Sequence, residues 1–155
     1  MKIITIGVLA VAITLSAGTT TTKKSTDQEI IAMTILGEAR GEKNSGMYAV
    51  AAVIAQRSLN RQLSPRRVCL QNRIVRGKRI WQFSCWGSGK SPRDLLHEPQ
   101  AKYAMLLADN IKDIDRSYVG SADHFHTVNI KFKPNWADKN KKTVTINNHV
   151  FYKLK

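Results

Sequence analysis

The segment Thr26-Asp27-Gln28-Glu29-Ile30-Ile31-Ala32-Met33-Thr34-Ile35-Leu36-Gly37-Glu38-Ala39-Arg40-Gly41-Glu42 carries a helix together with both of its end signals. Thr26 followed three residues later by Glu29 is a capping box, and Asp27 and Glu29 place negative charge at the positive end of the helix dipole. Ile31, Ile35 and Ala39 recur at i, i+4 and i+8 with Leu36 beside them, which predicts one core-facing stripe, and Gly41 marks the stop. A second helix is predicted from about Ser45-Gly46 through Met47 to Arg57. It is apolar almost all round until Gln56, so it is expected to be the central, buried helix, with alanines that let neighbouring backbones approach. Ser64-Pro65 then caps a short helix reaching about Gln71.

The remainder changes character along the chain. Residues 78–86, with Ile80, Trp81, Phe83 and Trp86, are aromatic-rich and end in Gly87-Ser88-Gly89, which reads as a loop or short strand. Pro92 and Pro99 open two more helical segments, the second predicted over Ala101 to Ile114 with Tyr103, Leu106 and Leu107 on its inner side. Past Asp115 the pattern turns to β. Ser121 to Asn129 is one strand candidate, and 143–146 and 149–152 flank Asn147-Asn148, a two-residue hairpin turn by its residue types. No repeat and no second domain is visible. The expected fold is α+β, mostly helical, a single domain over 26–155 with a small β element at its C-terminal end.

Length and composition agree with one domain. In 155 residues, 43% are apolar and 23% charged, which excludes wholesale disorder. Lys and Arg number 25 against 11 Asp and Glu, a net charge of +14; such a charge predicts polyanionic partners, whether nucleic acid, anionic membrane or acidic polymer. At the N-terminus, Lys2 precedes an apolar run from Ile3 and the small residues Ser16-Ala17-Gly18, the pattern of a secretory signal over 1–18. A helix of that run reaches only about 20 Å against the roughly 30 Å hydrocarbon core. The uncharged stretch continues to Thr22, so a weak membrane tether over residues 3–22 is the alternative, and 19–25 reads as a linker. Export to the periplasm or cell wall is expected. Export permits a disulfide between Cys69 and Cys85, whose loop closure is worth about 3 kcal/mol; two buried free thiols are the alternative. Two cysteines fit no four-ligand zinc pattern, and neither has an evident base to make it a nucleophile.

Glu38 is the residue with chemistry in reach. It sits one step from the buried stripe, and a carboxyl half-buried beside apolar side chains holds its proton to higher pH, as a general acid at a glycosidic oxygen must. The plain alternative is a solvated helix residue, and pairing with Arg40 would oppose the acid role. Glu42 follows four residues on, but Gly41 breaks the helix between them, so paired-carboxylate spacing is not secured.

Leu36-Gly37-Glu38-Ala39-Arg40-Gly41-Glu42, then Gly46 with Ala49-Val50-Ala51-Ala52-Val53-Ile54 and Arg57, then Gln82-Phe83-Ser84-Cys85-Trp86, Gly120-Ser121-Ala122-Asp123-His124-Phe125-His126, Pro134 with Trp136-Ala137, and Ile146 with His149-Val150-Phe151-Tyr152, occur in that order. Together they resemble the SleB/CwlJ cell-wall hydrolase family, from about Asp27 to Tyr152. One departure is Asn147, where the family has glycine; Asn tolerates a left-handed turn next best. The resemblance implies a fold similar to lytic transglycosylases and resuscitation-promoting factors, and a peptidoglycan-lytic activity with Glu38 as the catalytic acid and no obligatory second carboxylate. It implies cleavage between N-acetylmuramic acid and N-acetylglucosamine with closure of a 1,6-anhydro ring; water in place of the muramic 6-hydroxyl gives hydrolysis instead.

With that reading Glu42, Gln82, Phe83, Trp86 and His126 become candidate substrate-binding residues, although Phe83 and Trp86 serve equally as core pieces around Cys85. His124 and His126 share one face of a strand, with His149 further along; this is a weak ligand pattern, and neither metal nor cofactor is expected. The basic clusters around Arg57–Arg67, Arg73–Arg79 and Lys131–Lys142 suit an anionic wall or membrane surface, and a monomer is expected. A phage endolysin acting as a hydrolytic muramidase is one alternative. A non-catalytic basic wall-binding protein is a second. A nucleic-acid-binding module is the third, opposed by the export signal and the lack of any nucleic-acid motif.

Overall fold

The computed structural model describes residues 25–89 and 91–155; the expected signal and linker over 1–24 lie outside the described residues. Helix α1 spans Asp27–Ala39 and begins as its sequence dictates. The Thr26 hydroxyl accepts from the Glu29 amide at 3.2 Å, and the Glu29 carboxylate accepts from the Thr26 amide at 2.9 Å. Its centre is buried all round, from Ile30 through Leu36, rather than along a single stripe, because it packs against three other helices and two 3₁₀ turns at once. Helix α2 spans Lys43–Arg61, starting earlier and ending later than the apolar run alone indicates, and closes on Gln62 in the left-handed region. From Gly46 to Arg57 it is buried except at Tyr48, so it is the central helix that its composition predicts. Ser64 caps the short helix α3, Pro65–Cys69.

Two expectations change downstream. Residues 72–81 form a hairpin, β1 (Asn72–Val75) paired antiparallel with β2 (Lys78–Trp81), turning through Arg76-Gly77 at φ +48° and +75°. The aromatic-rich stretch is therefore divided: its first half is strand, and Ser84–Gly87 is a 3₁₀ turn. A second 3₁₀ turn covers Pro92–His97. Helix α4 ends at Asp109 rather than Ile114, closed by Asn110, whose amide and side chain both donate to the Leu106 carbonyl. Ala101, Ala104, Leu107 and Ala108 take its inner face, and Leu106, about 100° round the helix from Leu107, is 56% exposed instead of inward.

The C-terminal sheet has the order β3-β5-β4, all antiparallel, with β3 at His124–Thr127, β4 at Lys142–Ile146 and β5 at His149–Tyr152. The expected hairpin turn at Asn147-Asn148 is present, with Asn147 at φ +49°. Strand β3 is shorter than Ser121 to Asn129, though Asp123 and Val128 still donate across to Tyr152 and Asn148. Phe125 and Phe151 pair across the inner face and meet Phe83 from the loop. One polar joint crosses this core: Arg57 of α2 donates through Nε to the Asp123 carbonyl at 2.6 Å, and its guanidinium lies 4.8 Å from the centre of the Phe83 ring. The Asp123 carboxylate accepts from the Leu154 amide and the Asn60 amide nitrogen and pairs with His124.

Burial alone raises the pKa of Asp123, but the contacts with His124 and the Leu154 amide, with the Arg57 charge behind them, bring it below the ordinary carboxylate value. A carboxyl lowered on folding adds stability above its unfolded pKa and loses it as pH falls through the folded one. Asp123→Ala removes the acceptor of the Leu154 amide, the Asn60 side chain and His124 and is expected to cost about 2 kcal/mol at neutral pH. In urea titrations from pH 7 to pH 3, the wild type loses part of its advantage over the variant only at the acid end; an unchanged difference across the range contradicts this.

Candidate active site

The last turn of α1 carries Gly37 and Glu38, and Gly37 has a steric task. A Cβ there would lie 2.4 Å from the Cβ of Cys85 and 2.9 Å from its Sγ, so only glycine lets the 84–87 turn rest against the helix. That contact brings two donors to Glu38: the Ser84 hydroxyl and the Cys85 amide, each 3.1 Å from Oε1. One helical turn earlier, the Trp86 indole N–H donates to the Thr34 hydroxyl at 3.1 Å, and Thr34 donates in turn to the Ile30 carbonyl. The turn is thus fastened to α1 at two points four residues apart. Glu38 is half-buried, the first of the two alternatives its sequence position leaves open and not the solvated one. Among the described residues no ion pair joins it to Arg40.

Beside this junction lies a cavity of about 500 Å³, lined among others by Gly37, Arg40, Ser84, Cys85 and Asp94. Asp94 has no periodic or motif signal; the 3₁₀ turn after Pro92 brings it there. Cys69 and Cys85 are both free thiols, so the bridge expected from their spacing is not present. Burial pushes the Cys69 thiol up to about 12. Cys85 is raised by burial and then by the neighbouring Glu38 charge.

The other candidates separate into distinct places. Phe83 is 1% exposed, stacked under Arg57 and against Phe125, so it is a core residue and not a sugar platform. Gln82 is exposed and its amide donates to the Gln71 carbonyl. Trp86 is half-buried beside Trp81, ring centres 6.3 Å apart. Glu42 spends both carboxylate oxygens on Asn148, accepting from its amide at 3.0 Å and its side chain at 3.1 Å. Burial works to raise its pKa, but these two bonds and then the His149 charge hold it low. Asn147 adds bonds to the Glu42 carbonyl and the Ser45 hydroxyl. Glu42 therefore clamps the sheet's hairpin to the start of α2.

His126 is not brought to Glu38. It shares the outer face of β3 with His124, where it meets Tyr152 Oη at 3.0 Å and packs near Trp136. Among the described residues no group of His, Cys, Asp and Glu is arranged to hold a metal. A histidine outside the candidates is His149, 3% exposed, on the inner face against Phe125, with Nδ1 lacking a protein partner. Burial lowers its pKa, while Glu42 and Glu38 pull it back. Its alternation with Phe151 along β5 was the available signal for an inward direction.

No curated protein sequence matches the chain. Its fold is similar to the catalytic domain of the germination-specific lytic transglycosylase SleB from Bacillus anthracis, with a TM-score of 0.61, 25% identity, and coverage of 86% of this chain and 98% of that one. The lysozyme-like architecture expected from the sequence is thereby present. A profile of cell wall hydrolases matches residues 41–152, starting three residues after Glu38. With most of its length matched in this way, the chain belongs to the cell wall hydrolase family.

Proposed function

We propose that the chain cleaves the bond between N-acetylmuramic acid and N-acetylglucosamine by lytic transglycosylation, with Glu38 as the single acid and base. The carrying observation is the contrast between two neighbouring carboxyls. The Ser84 hydroxyl and the Cys85 amide both donate to Oε1 of Glu38 and orient the group at the cavity's edge, whereas Glu42 has committed both its oxygens to Asn148. In this scheme Glu38 protonates the glycosidic oxygen as its bond to muramic C1 breaks. The carboxylate left behind takes the proton of the muramic 6-hydroxyl as that oxygen bonds to C1, and the 1,6-anhydro product leaves Glu38 protonated for the next cycle. Similarity to a lytic transglycosylase domain supports this choice of reaction.

Hydrolysis is the second reading, and Asp94 is the observation that favours it. A water attacking C1 calls for a base, and Asp94 is an acidic residue on the wall of the cavity that Ser84 and Cys85 share. An exported protein acting at the wall, held to its anionic polymers or to the membrane through the basic surface and working as a monomer, fits the charge of +14 and the N-terminal apolar run. Among the described residues no helix is long and apolar enough to cross a membrane.

Digests of purified peptidoglycan, read by mass spectrometry, test the assignment. Glu38→Gln keeps the shape and removes the proton, and is expected to lower the rate of anhydromuropeptide release by about 10²- to 10⁴-fold; a variant near wild-type rate removes Glu38 from the chemistry. Asp94→Asn separates the two reactions. A change of no more than a few-fold, with anhydro products retained, agrees with transglycosylation, whereas reducing-end products that vanish in the variant establish a hydrolase.

Glu42→Ala gives the complementary result. Losing the two Asn148 bonds is expected to cost about 2 kcal/mol of stability, seen as a lowered Tm, while activity below the melting range stays within several-fold of wild type. Activity lost at full folding would give Glu42 a part in catalysis or substrate binding.

A further inference from the structure

The hairpin of β1 and β2 has neither face covered. All residues from Asn72 to Ile80 are exposed, and among them Ile74, Val75 and Ile80 stand 62%, 40% and 44% open to solvent. A two-stranded hairpin is marginal in water by itself, and this one is held at its base. The Gln82 amide donates to the Gln71 carbonyl at 2.9 Å, Arg61 donates to the Gln71 side chain, and Trp81 packs near Trp86. The aliphatic side chains beyond that base add nothing to the core. Arg73, Arg76, Lys78 and Arg79 are interleaved with them, and Arg76-Gly77 forms the tip. The surrounding sequence is one-sided too: from Lys43 to Arg93 there are 11 Lys and Arg and no Asp or Glu.

We propose that this hairpin docks the protein on an anionic lipid bilayer, with Ile74, Val75 and Ile80 entering the headgroup–acyl boundary and the four cations meeting lipid phosphates. Aliphatic groups bracketed by Lys and Arg match an interface that is negative outside and apolar just beneath. A soluble polyanion matches the charge but gives the three aliphatic side chains nothing to contact. A second copy added edge to edge would set four cations against four, the arrangement by which exposed edges avoid pairing. The inference concerns where the protein sits and holds whether or not Glu38 is the acid.

The test uses the full chain with Val75→Cys carrying an environment-sensitive fluorophore. Cys69 is fully buried and Cys85 largely so, and the parent chain labelled in parallel sets the background. On vesicles of phosphatidylcholine with phosphatidylglycerol, the label is expected to shift to the blue and to be quenched by doxyl lipid. The response fades as salt rises. Ile74→Ser with Ile80→Ser is expected to weaken partitioning at least about tenfold, as is exchange of Arg73, Arg76, Lys78 and Arg79 for Gln, each variant checked for folding by circular dichroism. Three results overturn the inference. One is a label that stays in water on vesicles with which the chain sediments, meaning that residues 1–22 alone hold it. Another is an equal response on pure phosphatidylcholine. The last is a soluble glycerophosphate polymer that binds the wild type and the aliphatic variant alike while vesicles bind neither.

Discussion

A single buried cation fixes the geometry of this molecule. Arg57 is 4% exposed on the central helix, and its Nε–H reaches the Asp123 carbonyl while its plane covers Phe83. Burial, and then the Arg61 charge, bring its pKa down to about 10, with Asp123 and Glu38 acting in the opposite sense. It therefore stays charged at neutral pH in a place where an uncompensated charge is costly. Two chain segments are positioned by that requirement. Asp123 leads directly into β3, and Phe83 leads directly into the turn whose Ser84 and Cys85 bind Glu38. Displacing the guanidinium would remove one fastening that the sheet and the turn share, on top of those each keeps elsewhere.

The acid and the clamp are two uses of the same side-chain chemistry, separated by backbone context. Glu38 lies in the last turn of a helix beside a glycine, so a foreign backbone can come close enough to donate an amide to its Oε1. Glu42 follows the helix break, where its carbonyl, carboxylate and backbone all face the β4–β5 turn. Four residues of separation on an unbroken helix would have put both groups on one face. With the break at Arg40-Gly41, one bonds to the Ser84-Cys85 turn and the other to the hairpin.

What the sequence made legible follows from how local each signal is. The capping box of Thr26 and Glu29, the buried run of α2, the Ser64-Pro65 start and the Asn147-Asn148 turn are all decided within a few residues, and all are present. The half-buried setting of Glu38 was legible for the same reason. Faces of short strands were not. Phe83, His126 and His149 lie in or beside strands of four residues, where alternation offers at most one neighbour on the same face, Phe151 for His149 and His124 for His126, to say which side meets the core. The structure buries Phe83, turns His126 outward and turns His149 inward. Of the hairpin over residues 72–81, the second strand falls within the expected loop or short strand of 78–86, whereas its partner over 72–75 carries apolar residues that face solvent, so no burial pattern announces it.

Asn147 shows how a departure from a family pattern can be read physically. Its φ of +49° is the region that favours glycine, and an asparagine there carries some backbone strain. Glycine would relieve that strain, yet it would leave the Glu42 carbonyl and the Ser45 hydroxyl without the donor that Asn147 Nδ2 supplies at 2.6 Å and 3.0 Å. It would also widen the conformational freedom of the unfolded chain, which opposes folding. Gly46 makes the same joint tight from the other side, since a Cβ there would sit 2.2 Å from that of Glu42. The substitution therefore exchanges local backbone ease for a second fastening between α2 and the sheet. That fastening falls on the turn that leads directly into β5, so the clamp fixes where His149 and Phe151 enter the core.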